Sequence, residues 1–487
     1  MPDTLHEVRR ELTEHELEKL SSKLNGWLKE RNDKDVDEFN HSIGRHKTRL
    51  ASLKTVLLGA ANTLQAELNA LDIREDRDTG EVYEQIREFD QAIVWLERVW
   101  EYFAAKFAQR DDKKDLGPFL EAADELVWSC YRQVWARLEV RLQKKQGPAP
   151  LAYLAPEYSP AAWQSDKPAP AELRPTADVT GLKEWLRSLP VPVVSLPPWC
   201  IDSPWWLIFV AHEVGHHLLH DMGILFGLQK RVELLARSRN LMQGEIDHWK
   251  MWTEEIFADL YSVMMLGDWA LRGLREVEWY GDAAMIQWRR EYPPPAVRMD
   301  LMAVTAEKLK LGGSGALGDL SLEIYRHKTP QVERDFSMVT AMVDLLLEPL
   351  TPELGKLERL CNLEELRSKI AGGEISGWAL KLRGNPGTPE ASLIQPRLAI
   401  MGSLCAWDQI VTDTALSPAE RRRQLDVLAA NTRLVLKSSG TTDERAGSVE
   451  DVRLKQQGVE LAGLLRKASR PAENIIAPGG GENAVQD

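Results

Sequence analysis

Two short segments carry residues whose types and spacing suit metal chemistry. Pro204 to Leu219 reads PWWLIFVAHEVGHHLL and holds His212, Glu213 and His216 in an H-E-x-x-H pattern. On a helix, residues four apart project from one face, so two imidazoles can reach a single ion. Glu213 sits about a third of a turn round, near enough to act on a ligand of that ion without binding it. Trp252 to Leu260, WTEEIFADL, places Glu255 and Asp259 four apart as well. Glu255 supplies the carboxylate that a His2Glu zinc site still lacks, and Asp259 is a second acid able to orient a ligating imidazole. Glu254 competes as third ligand, but the four-residue step to Asp259 keeps Glu255 on the same face and favours it. The implied cofactor is Zn2+. The competing reading is a hydrogen-bonded histidine pair in a core. The apolar run from Trp205 to Val210 sends this helix through a core, where two histidines and a glutamate are costly unless paired or metal-bound. Gly215 suits a place where another backbone or a substrate comes close.

These residues resemble the gluzincin metallopeptidases, zincins whose third ligand is a glutamate on a following helix. The H-E-V-G-H and E-I-F-A-D pieces are most similar to the compact minigluzincins and ImmA/IrrE-type peptidases, over roughly residues 190–300. The resemblance implies His212, His216 and Glu255 as zinc ligands, Glu213 as catalytic base and Asp259 behind the ligands. A metzincin pattern fails on spacing, since its third histidine would fall at Met222 and its glycine at Leu219. Minigluzincins often carry a His-Pro element followed by an arginine near Glu291 to Leu301, EYPPPAVRMDL; here Tyr292-Pro293 and Arg298 stand in that place. A phenol can still donate to a developing oxyanion, so Tyr292 is the candidate electrophilic helper, with Arg298 read as a structural partner of an acid.

The elements that must position these groups follow from the rest of the chain. At 487 residues it is too long for one ordinary core, and 44% hydrophobic with 28% charged residues is the composition of a globular protein. A net charge of −13 disfavours nucleic acid as a partner. Four cysteines lie far apart with no C-x-x-C, so neither a disulfide framework nor a cysteine zinc site is indicated, and reducing cytoplasm is the expected compartment. No apolar run approaches the roughly 18 residues of a membrane span. The 17 tryptophans sit largely at helical spacing, as packing anchors do.

The fold expected is mostly α with a small β-sheet: a zincin-like metallopeptidase core flanked by helical regions. Residues 1–146 read as an N-terminal helical bundle, with stripes such as Leu5, Val8, Leu12, Leu20, Leu24 and Trp27, or Ile86, Phe89, Ile93, Leu96, Trp100 and Phe103. The lone histidines His6, His15, His41 and His46 read as surface residues. Residues 147–180 are a proline-rich connection in which Leu151 to Leu154 could be a strand. Residues 181–311 form the metallopeptidase core, 312–470 a C-terminal helical region without visible chemistry, and 471–487 a disordered tail. Within the core, Val191 to Leu196 is β-branched and bounded by prolines, which points to an edge strand. A substrate peptide could add to it through backbone hydrogen bonds, making Val193, Val194 and Ser195 candidate substrate-binding residues; a plain core strand is the alternative. His220 lies about 12 Å along the helix from His212, too far to share its ion.

The function expected is a zinc-dependent endopeptidase acting on a protein or peptide substrate, with a regulatory protein partner docking on the long helical flanks. The alternative is a zinc-stabilised, non-catalytic interaction protein.

Overall fold

The computed structural model of the protein describes residues 4–33, 46–74, 76–142, 149–156, 161–162, 191–312, 318, 320–389, 391–439 and 451–469. It is mostly helical with one small sheet. Helices α1 (Leu5–Asp33), α2 (Lys47–Asn69), α3 (Thr79–Ala108) and α4 (Leu116–Leu142) precede strands β1 (Leu151–Leu154), β2 (Ala161–Ala162) and β3 (Val193–Leu196). A 3-10 segment, Pro204–Phe209, leads into α5 (Val210–Asp221). Then follow α6 (Leu225–Ser238), α7 (Gln243–Met251), α8 (Thr253–Leu266), α9 (Trp269–Glu278) and α10 (Pro295–Lys308). The chain continues through α11 (Pro330–Leu347), α12 (Leu363–Ala371), α13 (Glu374–Arg383), α14 (Gln395–Thr412), α15 (Pro418–Ser438) and α16 (Asp451–Ala468). Residues 181–190 of the expected metallopeptidase core and the tail at 471–487 lie outside the described residues. No described helix is long and apolar enough to cross a membrane.

Two apolar cores organise these elements. The smaller joins α1, α2 and α3 to α16, and the larger holds α4 together with α5 to α15. The bundle therefore differs in one member from the reading of residues 1–146. Helix α4 is apolar on several faces at once (Phe119, Leu120, Ala123, Leu126, Val127 and Tyr131 are all buried), so it suits the centre of a large core rather than one flank of a bundle. The fourth bundle helix comes instead from the far end of the chain. Gly458 allows it, because a Cβ there would stand 2.8 Å from the Val56 carbonyl oxygen of α2. Arg466 then reaches Glu67 at 2.7 Å and Glu88 at 3.1 Å.

Within α1 the stripe is shorter than its leucines suggest. Leu20 and Leu24 are buried, but Leu5, Val8 and Leu12 are exposed, because His6 and Thr13 face the bundle and hydrogen-bond there to Thr79 and Asp90. His6 and His46 are buried, unlike the surface positions expected of them, since each finds polar partners inside.

The sheet order is β1-β3-β2, with β1 parallel and β2 antiparallel to β3. This corrects the edge-strand reading: β3 is the middle strand. Val194 and Ser195 pair with Ala162 and Ala161 on one side, and Val193 to Leu196 pair with Leu151 to Leu154 on the other. All four β3 residues are buried, and the Val193 carbonyl accepts a hydrogen bond from His217 Nε2 at 3.1 Å. Val193, Val194 and Ser195 thus have no free backbone edge for a substrate. The outer edge of β1 is closed by side chains. Asp124 accepts from Ala152 N, Arg110 donates to Ala152 O, and Gln109 bonds both the N–H and the carbonyl of Leu154. That leaves β2 as the terminal strand of the described sheet, in a proline-rich stretch where two alanines give no strand pattern.

Candidate metal centre

Helices α5 and α8 build the site by crossing closely. Gly215 is the contact point: a Cβ there would lie 3.0 Å from Ala258 Cα and 3.1 Å from Tyr261 Cβ. The close approach expected at this glycine is therefore made by the α8 backbone, and it carries α5's imidazoles onto α8's acids. Hydrogen bonds from Tyr131 to Asp221 (2.6 Å) and from Tyr261 to the Cys130 carbonyl (2.8 Å) tie both helices to α4. The apolar run before His212 is a 3-10 segment rather than α-helix, so the α-helix proper begins only two residues before the first histidine.

His212, His216 and Glu255 converge. The two Nε2 atoms are 3.0 Å apart, and Glu255 Oε2 lies 3.2 Å from the first and 3.6 Å from the second. A tetrahedral ion with bonds near 2.0–2.1 Å needs ligand–ligand separations of about 3.3 Å, which these three edges bracket. Glu255 Oε2 is buried with no hydrogen-bond partner, which is costly for a carboxylate unless a cation faces it. The donor set, two imidazoles and one carboxylate on one side of a point, fits Zn2+ with a position left open.

The opposite nitrogens of both imidazoles face acids. His212 Nδ1 is 2.9 Å from Asp259 Oδ1, and Arg298 clamps that carboxylate through Nε (2.6 Å) and Nη2 (2.9 Å). His216 Nδ1 stands 3.5 Å from Glu254 Oε1, which also meets His220 Nε2 at 2.8 Å. Glu254 thus faces the far side of the His216 ring, away from the point of convergence. Its role had no signal in the sequence beyond its acidity, because adjacent helical residues diverge by about 100° and only the crossing decides which faces the ion.

Burial alone would discharge these groups, pushing the histidine pKa values down and the carboxyl values up. Their neighbours overcome it. Glu255, Glu254 and Glu213 raise His216 to about 10, and Asp259 with Glu255 raises His212. The two imidazoles hold Glu255 well below the usual carboxylate range, and Arg298 with His212 holds Asp259 down. With neutral imidazoles the four carboxylates of Glu213, Glu254, Glu255 and Asp259 face one guanidinium, so formally three negative charges of four remain for cations to offset.

Glu213 is buried but takes no part in the convergence; with His212, Asp259, Tyr292 and Arg298 it lines a cleft beside it. The Tyr292 ring packs under the Arg298 guanidinium, 5.3 Å from centroid to Cζ. No protein-family model, curated protein or solved structure matches this chain.

Proposed function

We propose that this protein is a zinc-dependent endopeptidase of gluzincin type. The observation that carries the reading is the triangle of His212 Nε2, His216 Nε2 and Glu255 Oε2, whose buried carboxylate oxygen makes no hydrogen bond, with Arg298 Nη2 at 3.9 Å. Zinc, when bound, supplies a Lewis acid and a water whose pKa falls from 15.7 toward about 7. Glu213 lines the cleft next to His212 without joining the triangle, the placement a general base needs. Its carboxylate takes the proton of the attacking water and returns it to the leaving amine as the peptide bond breaks. Tyr292, in the same cleft, is the candidate donor to the developing oxyanion. Arg298 holds Asp259, and Asp259 holds the His212 ring in the tautomer that frees Nε2. The substrate strand adds to β2, since β3 is paired on both sides and β1 is capped.

The placement of Glu213 on an open cleft favours hydrolysis over the zinc-stabilised scaffold. Helices α1 to α3 and α16 form a second core, and the reading assigns these flanks to a regulatory partner. The test is Glu213→Gln, read by metal analysis and by proteomic comparison of cleavage products with the wild type. Zinc content should stay at the wild-type level while cleavage falls by about 10²–10⁴-fold, the usual contribution of a general base. Equal cleavage by both proteins would refute the reading.

A further inference from the structure

We propose that the cleft beside Glu213 is a specificity pocket for one large, uncharged side chain of the substrate, of the size of leucine, methionine or phenylalanine. The inference rests on the hydrolytic reading and names the class of peptide it acts on. Trp199, Ile208, Phe209, Leu274, Val277 and Met302 supply the apolar walls. Helix α9 offers Ala270, Leu274 and Val277 at intervals of four and three, one continuous face toward the cleft.

The walls are held in place before any ligand arrives. Trp206 stacks on Phe209 with ring planes 10° apart, and Trp199 meets Trp206 edge-on at 6.2 Å. Gly273 lets Ile208 lie against α9, where a Cβ would come within 2.8 Å of its Cγ2. Of the charged groups that line the cleft, Glu278, Arg298 and Asp259 are committed to partners, and Glu213 is the proposed base. Glu278 accepts from Arg289 at 2.8 Å and faces Arg298 at 3.7 Å, while the other Arg298 nitrogens are spent on Asp259. A charged side chain entering the pocket would lose its hydration and find these partners taken, whereas an apolar one loses nothing. Ala270 is the smallest wall residue, and its size sets how much side chain fits.

The test uses the full chain loaded with zinc and amino-acid hydroxamates bearing methyl, isobutyl, benzyl, carboxymethyl and aminobutyl side chains, with affinities from calorimetry. A proteome-derived peptide digest read by mass spectrometry runs alongside. The isobutyl and benzyl compounds should bind roughly 10–100-fold tighter than the methyl one, with both charged compounds weaker, and cuts should fall beside the same residue types. Ala270→Leu should reverse the order toward methyl at unchanged zinc content, and Leu274→Ala, which tests the wall without overfilling it, should favour benzyl over isobutyl. Indifference to side chain in a zinc-loaded protein, or no change of order in either variant, overturns the pocket alone. Failure to hold zinc at all removes the hydrolytic reading and the pocket with it.

Discussion

Among the described residues, imidazole is buried against carboxylate around His46 and around the His212–His216 pair, and the two clusters are finished in opposite ways. Around His46, between α2 and α4, Nε2 meets Asp124 Oδ2 at 3.0 Å and Nδ1 accepts from Arg49. Arg110 reaches the same Asp124 oxygen at 2.7 Å, and the Ala152 N–H takes the other at 3.1 Å. Arg49 and Arg110 spend further donors on the carbonyls of Ala149, Pro150 and Ala152. Each oxygen of Asp124 and each nitrogen of His46 is used. Around His212 and His216 the Nδ1 atoms are likewise backed by acids, but the Nε2 atoms and Glu255 Oε2 face one another, and the one guanidinium nearby, Arg298, keeps its hydrogen bonds for Asp259 and stands 3.9 Å from Glu255 Oε2. The difference lies in where the cations come from. The first cluster carries its own as guanidinium and locks β1 to the helices; in the second the guanidinium of Arg298 is hydrogen-bonded to Asp259, and on the proposed reading an ion from outside completes the triangle.

Removing one acid from each cluster should separate the two roles. Asp124→Ala leaves Arg110, Arg49 and His46 buried without a counter-charge, and should cost about 3–5 kcal/mol in denaturant unfolding with no change in bound zinc. Glu255→Ala should do the reverse in kind. Zinc content in the purified protein should fall to background, while the metal-free fold loses less than in Asp124→Ala. Zinc retained by Glu255→Ala would collapse the distinction between lock and open site.

Much of the open site was legible because its geometry is local. Residues four apart on one helix share a face whatever the fold, so His212 with His216, and Glu255 with Asp259, could be paired from spacing alone. What escaped the sequence depends on elements meeting. Glu254 turned out to back His216 because α5 and α8 cross at Gly215, and nothing in WTEEIFADL announces that angle. The place of β3 in the middle of its sheet depends on Ala161 and Ala162, too short and too plain to read as a strand. A helical fold with a small sheet was expected from periodicity, yet α16 docking beside α2 was not, since an apolar stripe says that a helix is covered but not by what. The exposed Leu5, Val8 and Leu12 show the converse: a regular stripe can lose its partner to better-satisfied polar residues such as Thr13.

The acids behind the ligands sharpen the comparison at a smaller scale. If Glu254 backs His216 as Asp124 backs His46, but for an external ion, Glu254→Gln should weaken zinc binding about 10–100-fold in chelator competition and leave unfolding free energy almost unchanged. Glu254→Asp should recover part of that affinity. His220→Asn should have the lesser effect, because His220 is partly exposed and meets the acid rather than the point of convergence. Loss of zinc comparable to that of Glu255→Ala would instead make Glu254 the ligand.

The smallest effect expected is a slope of stability against pH. Burial, with Arg49 beside it, holds the His46 pKa down to about 3, against an ordinary value of 6.5. In the unfolded chain this histidine takes a proton below about pH 6.5, while in the folded chain it stays neutral almost to pH 3. Its contribution is therefore fully present above pH 6.5 and drains away as the pH falls toward 3, by at most about 1.4 kcal/mol per pH unit. The measurement is the difference between wild type and His46→Gln in denaturant titrations from pH 7 to pH 4, both proteins stripped of metal. Gln can accept from Arg49 and donate to Asp124 but cannot be protonated in this range, so the wild-type curve should fall more steeply through the window. Parallel curves would mean that His46 takes up its proton over the same pH range in the folded chain as in the unfolded one. Below that range the closed cluster would then hold one cation more than its neutral imidazole implies.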